Sequence, residues 1–261
     1  MNIYYELDGK LKCFITPVLR SIGRRYKSAV IVCPGGGYSA LSEKEADMVA
    51  LRYSAYGFQS FVLNYELGIF PKSAMDLIAA IKIIRKNSEL WDIDPNQIIG
   101  CGFSAGGHLV ASVGCMDEIG LLKRYHGEAS LNGMILCYPV ISSADDICHR
   151  ESIKNITNDD PELIRMVGLE NKVSPGTPPV FLWHCIDDQE VNVQNTTRFL
   201  NSLSKHQIFY EAHIFNNGGH GLALSDETTA EIEKEINEDC KIWFDLSVKF
   251  IRRLKILCAH A

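Results

Sequence analysis

Apolar and polar positions divide the chain into short apolar runs separated by longer segments with one apolar face. The runs fall at residues 29–33, 60–65, 98–101, 133–138 and 179–184, with a more mixed one at 208–215. Continuous runs of this kind suit strands buried on both faces of a sheet. Between them, residues 71–90 place Ala74, Leu77, Ile78, Ile81 and Ile84 at helical spacing. Ser42 and Glu45 have the spacing of a capping box and open a predicted helix that ends at Gly57. Further helices are predicted after Ser104, over 193–205 and over 226–257. Residues 2–16 read as a hairpin turning at Asp8-Gly9, and Asp94-Pro95-Asn96 as a turn. Residues 140–178 are polar and read as an irregular excursion over one end of the sheet. Strands alternating with helices predict an α/β fold with a mostly parallel central sheet and helices on both faces, as a single domain over 1–261.

Composition narrows the function classes. The net charge of −6 provides no basic stripe for a nucleic-acid backbone. No apolar stretch approaches the roughly 18 residues of a membrane span, and charged residues interrupt the first positions, so neither a secretory signal nor a membrane partner is expected. The nine cysteines are scattered without a C-x-x-C pair, and several lie in apolar runs. They read as buried free thiols in a reducing cytoplasm. A homo-oligomer is left open.

The run at 98–101 leads into Gly102-Phe103-Ser104-Ala105-Gly106 and then a small, apolar helical stretch. This G-x-S-x-G pattern between strand and helix has the setting of a nucleophile elbow. Glycines leave room in a crowded turn, and Ser104 projects from its tip beside the positive end of the following helix. A serine nucleophile needs a base. Among the eight histidines, only His220 lies in a glycine-rich loop past a late strand, in Asn217-Gly218-Gly219-His220-Gly221. His108 and His184 read as structural; His126, His149, His206, His213 and His260 read as surface or packing positions, with His149 placed to edge the pocket. The imidazole needs a carboxylate to set its tautomer. Asp187 and Asp188 are the candidates; the spacing from His184 favours Asp188, and Asp187 remains the alternative. Donors for a developing oxyanion are expected from the backbone of Gly36, Gly37 and Ala105. Tyr38 and Tyr138 are expected to contact substrate, and Trp183 reads equally as a pocket wall or a core aromatic. No nucleotide motif follows the Gly35-Gly36-Gly37 run.

Taken together, these motifs resemble the α/β-hydrolases of the small acetyl esterase and acetyl xylan esterase group. The resemblance runs over roughly residues 17–225. It rests on Cys33-Pro34-Gly35-Gly36-Gly37-Tyr38, Gly102 to His108, Cys137-Tyr138-Pro139, the His184 to Val191 loop and Gly219-His220-Gly221. It implies a triad of Ser104, Asp188 and His220, with the glycines after Pro34 taking the place of the HGGG loop of related lipases. Three positions depart from the group's pattern. Pro34 replaces the histidine of HGGG, Glu66 stands where arginine is usual, and Asn192 where proline is usual.

The expected function is a serine carboxylesterase acting on short, acetyl-type esters, including acetylated sugars or xylo-oligosaccharides. It would work through an acyl-enzyme, with no metal and no organic cofactor. Two alternatives stay open: a serine peptidase of prolyl-oligopeptidase type, and a hydrolase homologue that binds a ligand without turnover.

Overall fold

A computed structural model describes residues 1–17 and 26–258 of the chain; His260 lies outside the described residues. Among the described residues there are eight strands: β1 (Asn2–Glu6), β2 (Leu11–Ile15), β3 (Lys27–Cys33), β4 (Gln59–Leu63), β5 (Ile93–Phe103), β6 (Gly133–Cys137), β7 (Val180–Cys185) and β8 (Tyr210–Phe215). They form one sheet in the order β1-β2-β4-β3-β5-β6-β7-β8. The β1–β2 hairpin and the β2–β4 pair are antiparallel, and every pairing from β4 to β8 is parallel.

The continuous apolar runs are explained by what covers them. In β3, Ala29, Ile31 and Cys33 face one apolar cluster with Leu77, Leu109 and Phe199. Val30 and Val32 face another with Val49, Tyr53 and Phe250. The first cluster is supplied by α2 (Lys72–Lys86), α3 (Ala105–Gly114) and α6 (Gln194–Lys205). The second takes α1 (Asp47–Ala55) and α7 (Trp243–Cys258). On α2 the predicted stripe is the buried one: Leu77, Ile78, Ile81 and Ile84 are all inside. Each such side chain contributes about 1.5–3 kcal/mol on burial. Among the described residues no helix is long and apolar enough to cross a membrane.

Three expectations need correction. The Ser42–Glu45 capping box does not form. Residues Glu43–Glu45 make a 3₁₀ turn without a side-chain cap, and Glu45 turns inward. The excursion at 140–178 is not irregular throughout; it carries α4 (Arg150–Thr157) and α5 (Pro161–Val167). Asp160 caps α5 by accepting from the N–H groups of Glu162 and Leu163, with Pro161 at the first helical position. That is a start signal legible in the chain.

The long predicted helix over 226–257 is helical only from Trp243. Short polar side chains capture the preceding amides in local turns. Asp226 accepts from the Thr228 N–H, and Asn237 accepts from those of Asp239 and Cys240. This strap is anchored in the core by Leu222, Leu224 and Cys240 at its ends. Its middle is tied to α1 and the adjoining 3₁₀ turn by the ion pairs Arg52–Asp226 (2.7 Å) and Lys44–Glu235 (2.9 Å).

Candidate active site

Parallel strands deliver the loops after their carboxyl ends to one edge of the sheet. The loops after β3, β5, β7 and β8 carry the glycine run, Ser104, the Asp187-Asp188 pair and His220 respectively.

The elbow is fixed by sterics within a few residues. Ser104 takes φ 49° and ψ −117°, a strained conformation for a residue with a side chain, costing of the order of 1–3 kcal/mol. Its N–H donates to the Cys137 carbonyl (3.0 Å), and its carbonyl accepts from His108 and Val140 (both 3.1 Å). A Cβ at Gly102 would sit 2.2 Å from the Gly106 carbonyl oxygen, and one at Gly106 2.1 Å from that of Cys33. Only glycine lets strand, turn and helix approach so closely.

The structure brings Ser104, His220 and Asp188 together. His220 Nε2 lies 2.9 Å from Ser104 Oγ, and His220 Nδ1 lies 2.6 Å from Asp188 Oδ2. Asp188 is buried and accepts from three directions besides His220. His184 Nε2–H reaches Oδ2 at 3.0 Å, and the N–H groups of Glu190 and Val191 reach Oδ1, each at 2.9 Å. Nε2–H of His184 is shared with the Val191 carbonyl, so its Nδ1 is the acceptor for the Thr196 hydroxyl (2.8 Å). Because Nδ1–H of His220 points at a carboxylate, its Nε2 is left as the lone-pair acceptor facing the serine hydroxyl.

Electrostatics follow from these contacts. Burial alone would raise the Asp188 pKa, but the bonds from His184 and His220 hold it well below the ordinary carboxylate range. Burial pulls the His220 pKa down, and the carboxylates around it, Asp188 foremost with Glu45 and Glu190, more than reverse this, leaving it above the usual histidine value. His149, partly buried and facing His220, is held below the usual value.

Asp187 has a separate place: Oδ1 accepts from the Gly219 N–H (2.9 Å) and Oδ2 from that of Gly218 (3.3 Å). It holds the backbone of the His220 loop and does not touch the imidazole. Across the cleft, the Gly35 N–H donates to Glu45 Oε2 (2.8 Å). Among the described residues, the N–H groups of Gly36, Gly37 and Ala105 are given no acceptor by the chain.

A cavity of about 400 Å³ opens over Ser104 and His220. It is lined mainly by polar groups, including Gly36, Gly37, Ser42, Lys44, His149 and Glu190. Neither tyrosine expected to contact substrate lines it. Tyr38 is buried and its hydroxyl donates to His108 Nδ1 (2.9 Å), while His108 Nε2–H donates to the Val167 carbonyl (2.9 Å). Tyr138 is fully buried, its hydroxyl bonded to Glu45 and to the Ala223 N–H, and its ring lies edge-on against His220 at 4.8 Å. Both are large aromatics next to site motifs, but strands and loops this closely packed turn such rings into the core. Trp183 likewise is a core residue, stacked on Trp243 at 5.5 Å.

Of the departures from the group's pattern, Glu66 pairs at the surface with Lys10 and Lys72. Asn192 accepts from the Gln194 N–H (2.9 Å) at the start of α6. One residue near the site, Glu45, escaped the sequence reading. It had been read as a cap, although its position just after a glycine loop was visible. The contact of His184 with Asp188 was signalled by their spacing alone.

Comparison with known proteins places this geometry in context. Residues 21–203 match the BD-FAE family. The chain is 30% identical over 252 residues to an acetylxylan esterase from Xylanibacter ruminicola, covering 93% of this chain and 49% of that protein. It is 30% identical over 212 residues to an endo-1,4-beta-xylanase B from Butyrivibrio fibrisolvens, covering 77% of this chain and 33% of that one. The chain thus spans between a third and a half of these curated relatives. Among solved structures, an acetyl ester-xyloside bifunctional hydrolase from Caldicellulosiruptor lactoaceticus is 34% identical with a TM-score of 0.81, covering 94% of this chain and 88% of that one. With a family match over most of its length and this sheet order and elbow, the chain is an α/β-hydrolase and belongs to the BD-FAE family.

Proposed function

We propose that this chain is a serine carboxylesterase for short-acyl esters, with Ser104 as nucleophile, His220 as general base and then acid, and Asp188 as the carboxylate that orients His220. The observation that carries the reading is the unbroken hydrogen-bonded series from the Ser104 hydroxyl through the imidazole to a buried carboxylate. His220 takes the Ser104 proton as the oxygen attacks the ester carbonyl. The N–H groups of Gly36, Gly37 and Ala105, without an acceptor among the described residues, are the donors for the resulting oxyanion. His220 then returns the proton to the departing alcohol. A water molecule repeats the cycle on the acyl-enzyme and releases the acid.

Acetylated sugars or xylo-oligosaccharides are the proposed substrates. The polar cavity lining supports a hydroxyl-rich alcohol, as do the relatives described as an acetylxylan esterase and an acetyl ester-xyloside hydrolase. Tyr38 and Tyr138 are assigned to holding the site's walls in place, not to substrate contact. A 4-nitrophenyl ester series of increasing acyl length, run beside acetylated xylo-oligosaccharides, tests the substrate class. Acetyl should be preferred over long acyl chains. Ser104→Ala should lower kcat by about 10⁴-fold or more; near-full activity in that variant would remove the assignment.

A further inference from the structure

We propose that Glu45 is a positioning residue that joins the glycine loop to the His220 loop and sets a second negative charge near the His220 imidazole. This deepens the assignment of Ser104, His220 and Asp188 above and rests on it. Glu45 is 3% exposed. Among the described residues no lysine or arginine pairs with it. A carboxylate buried without a cation is costly, and its cost is offset here by two fixed donors.

One donor is the Gly35 N–H, immediately before the two proposed oxyanion glycines (2.8 Å). The other is the Tyr138 hydroxyl (2.8 Å). The Tyr138 oxygen in turn accepts from the Ala223 N–H (2.9 Å), three residues past His220, and the Tyr138 ring packs against the imidazole. One carboxylate therefore spans both halves of the cleft. The packing around it is close: a Cβ on Gly35 would lie 2.7 Å from Glu45 Oε2 and 3.0 Å from the Ser104 Cβ.

Charge adds to geometry. The groups facing His220 are Ser104, Asp188 and the Tyr138 ring, with Glu45, Glu190 and His149 around them and Lys44, Glu151 and Glu235 lining the same cavity. When His220 accepts the serine proton it becomes a cation, and the nearby Glu45 carboxylate stabilises that cation in addition to Asp188. A glutamine there would accept with one oxygen only, since its other terminal atom is itself a donor. It would also remove the charge.

The test compares Glu45→Gln with Glu45→Asp in hydrolysis of 4-nitrophenyl acetate across pH. Glu45→Gln should lower kcat by about 10- to 100-fold with KM changed less than about threefold, because the loop it holds acts on the transition state. Its acid limb should move to lower pH as the imidazole loses a stabilising charge. Glu45→Asp keeps the charge but is one methylene shorter, so kcat should fall while the acid limb stays. A folded Glu45→Gln protein whose acid limb is unmoved overturns the proposal, whatever its kcat. Should Glu45→Gln fail to fold, Glu45→Asp decides: unchanged kcat overturns the proposal, and a fall of about tenfold or more at constant KM supports it. An active Ser104→Ala protein would instead strike the underlying reading. An inactive one beside an unaltered Glu45→Gln strikes only the role of Glu45.

Discussion

The two sides of the cleft are built by different means. On the Ser104 side, strand β5, the turn and helix α3 are adjacent in sequence, and the geometry follows from glycines too small to collide. On the His220 side, nothing local holds the imidazole. Asp188 and Asp187 reach across 32 residues to the ring and to its loop, and Tyr138 reaches across 85 residues to the Ala223 amide. Ser104 is placed by shape and His220 by hydrogen bonds, so the two should fail differently when disturbed.

The largest contrast is expected within the aspartate pair. Asp188→Asn can keep an oxygen for the Glu190 and Val191 amides but places an NH2 donor where Oδ2 accepts from His220. That favours the wrong tautomer and should lower kcat by about 10⁴-fold. Asp187→Asn keeps one acceptor for the loop amides and should cost about tenfold, on the scale of a single weakened hydrogen bond. Steady-state kinetics of the two variants side by side would check this, and equal losses would dissolve the division of labour.

The elbow side offers a stability test through His108. Burial lowers its pKa from 6.5 to about 4. The unfolded chain therefore takes up a proton below its own pKa while the folded chain does not. Stability from this site is whole above pH 6.5 and is lost as pH falls towards about 4, a loss of about 3 kcal/mol at most. Thermal unfolding followed from pH 7 to 4 should show a steeper decline for the parent than for His108→Gln. Smaller again is Gly106→Ala. Its added methyl meets the Cys33 backbone and should lower stability by about 1–3 kcal/mol, visible as a lower Tm. If Gly106→Ala proves harmless, the steric account of the elbow fails.

This contrast also explains what could be read in the chain beforehand. The elbow was legible because its requirements sit in five consecutive residues with a strand before and a helix after. The sheet was legible because burial on both faces leaves unbroken apolar runs. The spacing of His184 and Asp188 was enough to prefer one aspartate, and the hydrogen bonds show why, since His184 Nε2–H points at that carboxylate. Misreadings arose where a side chain's partner is distant. Glu45 has the spacing of a helix cap, yet its partners are Gly35 and Tyr138. Tyr38 sits beside the glycine loop, yet its hydroxyl is taken by His108 on α3. The segment before Trp243 has helical composition, but Asp226 and Asn237 spend their side chains on backbone amides. Periodicity reports which face is buried; it is silent about which polar group lies on the other side.

The strap at 222–242 forms one bank of the cleft through Ile232, Lys234 and Glu235. Its ends are rooted in the core, whereas its middle is held to the rest of the molecule by partly exposed ion pairs at Lys44 and Arg52. Both pairs are more buried than exposed, so removing one partner would leave its counterpart without a counterion. The residues between them at 231–234 are exposed, and sequence drift there can reshape one bank of the cleft at little thermodynamic risk. A fold arranged in this way can change its clientele without relearning its trade.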